Sequence, residues 1–391
     1  MIRFEEAQHI VLSLPVDVSP IEEIPFTQAL FRFVAKDIVA DRDMPPFDKS
    51  AVDGYACQKK DFGKPLKILD VVAAGDSSNV VVEPGTCVKI MTGAPIPQGA
   101  DMVIMKEDVE EKDGWIYPKK TSSNINIAYQ GEDIRKGEII IPKGRFLQAQ
   151  HIGILAATGH TTVEVFQQKK VGIVATGNEI VEPPFHPNKA QIRNSNSYAL
   201  MAQIITAGGN PHYYGIVPDD AQQLLDVIGK AAEENDLVFI TGGVSEGDYD
   251  LVPTVMEKLG YTILFDQLAV QPGRPTTLAQ KEKKYLFGMP GNPVSTFVQF
   301  HLLGKLLLWR MMGWNGVPSV ILSRMVKGIK RKKSDRTSFY PVRFNNNGEV
   351  EPIPYNGSGH FYALADARGI VALEINQTEL KEGEYVLVRL F

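Results

Sequence analysis

The chain has 391 residues, 44% of them hydrophobic, and a formal net charge of -5. That is enough apolar material for two to four domains, and the acidic balance argues against a general nucleic-acid binder. Two cysteines, Cys57 and Cys87, cannot supply a disulfide framework or a multi-cysteine metal site, so both are read as small buried hydrophobes.

The first residues, with Phe4, Ala7, Ile10, Val11 and Leu14 near helical spacing, predict an amphipathic helix ended by Pro15. They mix in charges and lack the core of a signal peptide. From about residue 65 to 118 short runs such as LKILDVVAA, CVKIMTG and DMVIMKEDV alternate with Gly/Pro turns and predict a small β-rich region. GEDIRKGEIIIPKG connects onward, and LQAQHIGILAATG reads as a helix. From Lys169 strands and helices alternate. KKVGIVATG, HYYGIVP, DLVFITGG, YTILFDQLAV and KKYLFGMPG are the strands; NSYALMAQIITAGG, DDAQQLLDVIGKAAEEN, DLVPTVMEKLG and PVSTFVQFHLLGKLLLWRMMG are the helices. Such alternation predicts a mostly parallel sheet with right-handed crossovers. The longest apolar stretch is broken by Gln299, His301, Lys305 and Arg310, so no membrane span is expected and the chain reads as cytoplasmic. After Pro318 the text turns β-rich, with SFYPVRFNNNGEVEPIP a hairpin around Asn-Gly.

Parallel sheets bind ligands at the carboxyl ends of their strands. Three turns fall there: ATGNEI with Glu179, TGGVSEGDYD with Gly242, Gly243, Ser245 and Asp248, and MPGNPVS with Gly291, Asn292 and Ser295 opening a helix. Glycines let backbone N–H groups approach an anion, and a helix N-terminus adds a favourable dipole. Carboxylates beside a phosphate need a hard cation between them, so the combination points to a Mg2+–phosphate site. The bland alternative is three tight strand–helix turns with capping residues. No G-x-G-x-x-G follows the first strand, which disfavours a dinucleotide-binding dehydrogenase. Nothing resembles a Ser-His-Asp arrangement, and the seven histidines lack metal-ligand spacing.

Residues 44–56, MPPFDKSAVDGYA, hold Asp48, Lys49, Ser50 and Asp53 in a stretch with no helical or strand period. This is either a linker or a loop ordered for a ligand. TGAPIP around Thr92 and NIAYQGEDIRKGE around Asp133 are similar polar turns. Residues 324–336 carry seven basic side chains against one acid; a solvated face is the default, although Arg336 could offer forked donors to a tetrahedral oxyanion.

In this order, MPPFDKSAVDGYA, IMTGAPIPQGADMVIMKED, GEDIRKGE, TGNEI, ITGGVSEGDYD, QPGRP and MPGNPVS resemble the molybdopterin molybdenumtransferase (MoeA) family, to which the gephyrin E domain is also related. The resemblance runs from about residue 3 to the C-terminus. It implies an elongated multidomain α/β plus β chain in four parts: residues 1–53 with 130–167, a small β-rich insertion at 54–129, a molybdopterin-binding-like α/β domain at 168–316 and a C-terminal β domain at 317–391. It implies a homodimer with the active site between subunits, contacts with other cofactor-assembly proteins, and Mg2+-dependent insertion of molybdate into molybdopterin-AMP with release of AMP. By similarity Asp53, Asp133, Glu179, Asp219 and Asp248 form the catalytic set, with Asp53, Glu179 and Asp248 on Mg2+ and Thr92 nearby. Gly242, Gly243, Ser245 and Asn292 would bind substrate; Gln271, Arg274, Pro275 and Ser295 would line the molybdate site, reached by Arg336 and Ser358. The chain departs from the family at Gln267 and Gln271, where lysine is frequent; bidentate bonding by Arg274 can compensate. A non-catalytic binding scaffold and a nucleotide hydrolase sharing the α/β unit are the rival expectations.

Overall fold

The computed structural model describes residues 1–120, 124–244 and 251–391. They fall into two compact units, one of Met1–Ala35, Gly144–Ile152 and Thr162–Phe391, the other of Lys36–Lys143 and Gly153–Thr161.

The larger unit contains a six-stranded sheet. Lys170–Thr176 lies between Asn210–Val217 and Leu237–Thr241, and Lys284–Met289 follows, all four parallel. Alternate residues serve opposite faces, which is why these strands read as unbroken apolar runs. Ile173, Phe239 and Phe287 enter one core with the helices Phe4–Ser13 and Pro293–Gln299; Val174, Ile240 and Leu286 enter another with the helices Ala221–Glu234 and Val252–Lys258. The Asp220 side chain caps Ala221–Glu234 by accepting from the N–H groups of Gln222 and Gln223. The final helix runs on from Gln299 through a π-helical turn, Phe300–Gly304, into Lys305–Met311.

The single strand expected over 261–270 is divided. Thr262–Phe265 forms the sheet edge, whereas Val270–Gln271 leaves to pair in parallel with Thr337–Phe344 of a second sheet. A strand the sequence did not announce, Thr277–Lys281, fills the gap antiparallel to Lys284–Met289. Its tight turn is built on Glu282, with φ 55, in place of the Asn or Gly such turns favour.

The second sheet is ordered Val270–Gln271, Thr337–Phe344, Gly369–Leu373, Tyr385–Leu390 and Ile321–Arg324, with Val350–Pro352 also on Thr337–Phe344. The expected hairpin is present, its turn closed by Gly348 N–H donating to Asn345 O at 3.0 Å.

The smaller unit holds a six-stranded sheet ordered Met102–Met105, Gly54–Cys57, Thr86–Ile90, Leu66–Val72, Trp115–Pro118 and Val109–Lys112. Both of its faces are covered: Tyr55, Cys57, Cys87 and Ile104 enter one apolar cluster, Ala56, Val88 and Val103 another. Cys57 and Cys87 are buried free thiols, opposite each other across the strands, and burial pushes both up to about 12. Such thiols act as small hydrophobes. Among the described residues no helix is long and apolar enough to cross a membrane.

Candidate functional site

In the larger unit the strand ends converge as the parallel sheet requires. Gly242 N–H donates to Met289 O at 3.1 Å, and Gly291 faces Gly242 closely enough that a Cβ on Gly291 would stand 4.0 Å from the Gly242 Cα. The Thr176 hydroxyl and the Asn178 N–H donate to the two oxygens of Asp219, at 2.9 and 3.3 Å, and Asp219 N–H answers to Asn178 Oδ1 at 3.3 Å. Asp219 therefore holds the turn in shape. Glu179, two residues after Gly177, is exposed at the tip of that turn. A side chain on Gly177 would lie 2.7 Å from the Glu179 carboxylate, so the carboxylate folds back over the strand end.

The MPGNPVS turn adds a helix N-terminus. Asn292 is its N-cap and is exposed, while Ser295, one turn in, is buried. Val294 N–H donates to Ser358 O at 3.3 Å, which brings the C-terminal β region to this corner. From the same helix Gln299 donates to Pro272 O at 2.9 Å, tying down the turn of Gln271, Arg274 and Pro275. Arg274 donates through Nε and Nη2 to Gln267 Oε1 at 3.3 and 3.1 Å. Gln267 thus orients the guanidinium. Gln267, Arg274, Pro275, Asp266 and Val244 line a cavity of ≈ 320 Å³.

The pairing of Val270 with Thr337 and of Gln271 with Ser338 places Arg336 immediately before the same ladder. The basic run divides there. Arg331 is pinned to the Gln377 and Glu374 carbonyls, at 2.7 and 2.5 Å, and to that of Arg336. Lys327, Lys330, Lys332 and Lys333 are exposed, as a solvated face predicts.

The smaller unit carries its own acidic site. Asp53 Oδ1 accepts from Thr92 N–H at 2.9 Å and from the Thr92 hydroxyl at 2.8 Å; Lys106 Nζ reaches Oδ2 at 3.1 Å. The Thr92 N–H, then its hydroxyl, then Lys106 hold the carboxyl down from 3.8 to about 2. The depressed value stabilises the fold above about pH 4, and this contribution is lost as pH falls through about 2. Thr92→Ala removes the hydroxyl and Lys106→Met the cation; each is expected to move the Asp53 titration upward, read from its carboxyl 13C shift. Lys106 was not singled out from sequence because it lies 53 residues from its partner. Asp133 is exposed, on a segment fixed by its N–H to Met44 O at 3.0 Å, and Gln130 N–H next to it donates to Asp48 at 2.8 Å. The 44–56 loop and the segment around Asp133 are thus stitched together inside this unit.

Ser245 and Asp248 lie outside the described residues. Among the described residues no three His, Cys, Asp or Glu side chains gather to hold a metal by themselves. Mg2+ does not require such a cage: it takes one or two carboxylates and completes its shell with phosphate oxygens and water. The exposed Glu179 carboxylate, three residues beyond the Thr176 backbone that Gly242 packs against, fits that donor set.

Comparison with known proteins covers the whole chain. Residues 2–159 match the model for the MoeA N-terminal region (domain I and II), 172–309 that for a probable molybdopterin binding domain, and 329–391 that for the MoeA C-terminal region (domain IV). A molybdopterin molybdenumtransferase from Staphylococcus epidermidis is 32% identical over 98% of this chain and 94% of its own length. One from Staphylococcus aureus is 33% identical over 94% and 90%. The crystal structure of the molybdopterin biosynthesis moeA protein from Pyrococcus horikoshii OT3 matches with a TM-score of 0.80 at 31% identity, covering 100% of both chains. Fold, strand-end architecture and similarity from end to end agree, and the chain belongs to the MoeA family of molybdopterin molybdenumtransferases.

Proposed function

We propose that this enzyme inserts molybdate into adenylylated molybdopterin, with Mg2+, and releases AMP and molybdenum cofactor. The observation that carries the reading is the meeting, in one unit, of a glycine-lined sheet end bearing Glu179 with the Arg274–Pro275 turn, joined through Gln299 and Ser358. The first suits a diphosphate, because backbone N–H groups and a helix N-terminus favour phosphate oxygens. The second suits a tetrahedral dianion, because a guanidinium gives planar paired donors. Glu179 would hold Mg2+, with Asp248 and Asp53 as further ligands taken from the resemblance; the cation would neutralise the diphosphate and orient its cleavage. Gly242, Gly243, Ser245 and Asn292 would line the diphosphate, Thr92 would orient Asp53, and Asp133 would complete the acidic set. Gln271, Arg274, Pro275, Ser295, Arg336 and Ser358 would receive molybdate. The protein's work is to bring two anions together, since they repel until each is matched by donors.

A cytoplasmic homodimer belongs to this reading. An open cleft of ≈ 530 Å³, lined by Phe31, Phe146, Phe297, Trp309 and Phe391, supports an apolar contact face in the larger unit.

The test is incubation with molybdopterin-AMP, molybdate and Mg2+, following AMP by chromatography. Release that requires both molybdate and Mg2+ is expected. Binding without AMP release would mark a scaffold, and release independent of molybdate a hydrolase; either result overturns the proposal.

A further inference from the structure

The segment that carries Glu179 holds a second carboxylate in a different setting. Glu182 is half-buried and accepts from two phenols, Tyr213 on Oε1 at 2.7 Å and Tyr198 on Oε2 at 3.0 Å. The Tyr213 hydroxyl accepts from Asn194 Nδ2 at 2.7 Å, and Asn194, itself buried, accepts from Ser197 N–H at 3.2 Å. The tyrosines stand on different elements, the helix Asn196–Thr206 and the strand Asn210–Val217, with rings 6.1 Å apart. Hydrogen bonds to an ionised acceptor are the stronger kind, and this acceptor has two from separate elements.

Before Glu179 the turn is held by Asp219 through Thr176 and Asn178; after it the backbone is thinly held. Glu179 precedes a strand of two residues, Ile180–Val181, paired in parallel with Ile192–Arg193. The flanking bonds are Ile192 N–H to Glu179 O and Asn194 N–H to Val181 O, each 2.8 Å. Between them runs a largely exposed excursion, residues 183–191, with three prolines, Pro183, Pro184 and Pro187. So short a ladder fixes register but leaves the direction of an exposed glutamate weakly determined, whereas a liganding group must be held to a fraction of an ångström. Glu182 adds the missing constraint: it ties the far end of the same short strand to the helix and the strand that flank the sheet end.

We propose that Glu182, clamped by Tyr198 and Tyr213, is a positioning residue that aims the Glu179 carboxylate at a divalent cation; this rests on the reading of Glu179 as a Mg2+ ligand. Groups that orient a metal ligand typically change metal affinity about 10- to 100-fold when removed. An anchor for the excursion alone would change stability and leave metal affinity untouched.

The experiment uses the full-length chain with Mn2+ as the probe, titrated calorimetrically in the presence of AMP, alongside the Mg2+ dependence of AMP release. Glu182→Ala is expected to weaken Mn2+ about tenfold, to raise the half-saturating Mg2+ by a similar factor, and to change turnover at saturating Mg2+ little. The Tyr198→Phe/Tyr213→Phe double variant removes both donors with little change of volume. It should reproduce the effect, and it keeps the test open should Glu182→Ala fail to fold. Glu179→Ala should show no Mn2+ binding at this site. Parental Mn2+ affinity in the folded double variant, with Glu179→Ala inert, overturns the positioning role alone. Parental affinity in Glu179→Ala overturns the metal assignment and the positioning role together.

Discussion

Replacing Glu179 with alanine is expected to lower turnover on the order of a hundredfold or more, the scale seen when one preorganised electrostatic group is removed from an active site. The side chain is exposed and projects from a turn whose shape is set by Asp219, Thr176 and Asn178 through bonds that do not involve it. Truncation should therefore leave the fold intact, with an unfolding midpoint close to that of the parent. The expected pattern is a collapse of AMP release that added Mg2+ does not restore, because the carboxylate that would hold the cation is gone. Glu179→Gln keeps the shape and removes the charge, so it should be nearly as impaired. Full turnover in either variant would place the metal elsewhere.

Gly242→Ala is expected to act in the opposite way, through the fold. Gly242 has φ +94, a backbone region costly for residues with a side chain, and an added Cβ would fall on the Thr176 carbonyl oxygen, well inside contact distance. That oxygen belongs to the central strand Lys170–Thr176, so no flexible side chain can yield. Left-handed strain of about 1–2 kcal/mol and overpacking of about 1–3 kcal/mol together predict a loss of about 2–5 kcal/mol, measured as a lower denaturant midpoint. Gly243→Ala provides the contrast. Its φ is +62, and the nearest atoms are the side-chain methyls of Val252 and Thr176, at 3.0 and 3.2 Å, which can shift. A smaller loss is expected there; equal losses would mean that close approach to the Thr176 backbone is not what selects glycine at 242.

The α/β portion was legible because a strand buried on both faces has no polar alternation to blur it: Val171 to Ala175 and Leu237 to Ile240 are apolar at every position but Gly172. Thr277–Lys281 escaped notice because it begins two residues after the Arg274–Pro275 turn and ends in a Lys-Glu-Lys-Lys turn with no Gly or Asn. Gly242, Gly243, Gly291 and Asn292 could be read as anion-facing turns because glycine and helix-opening residues have a local signature. Lys106 and Glu182 have none. A lone charged residue becomes informative only when the fold delivers its partners, Asp53 from 53 positions away and Tyr213 from 31. Gln267, whose partner nothing in its local sequence announces, proves to accept from Arg274.

The placement of Val270–Gln271 bears on how the chain can be cut. Because this short strand pairs with Thr337 and Ser338 at the start of Thr337–Phe344, the residues from 317 onward do not contain all of their own sheet. Expressed as an isolated fragment from residue 317, which keeps Ile321–Arg324 on the opposite edge, the chain would expose the N–H and C=O groups at the start of that flank, an invitation to self-association. Supplying residues 268–275 in trans, as a peptide, should protect them.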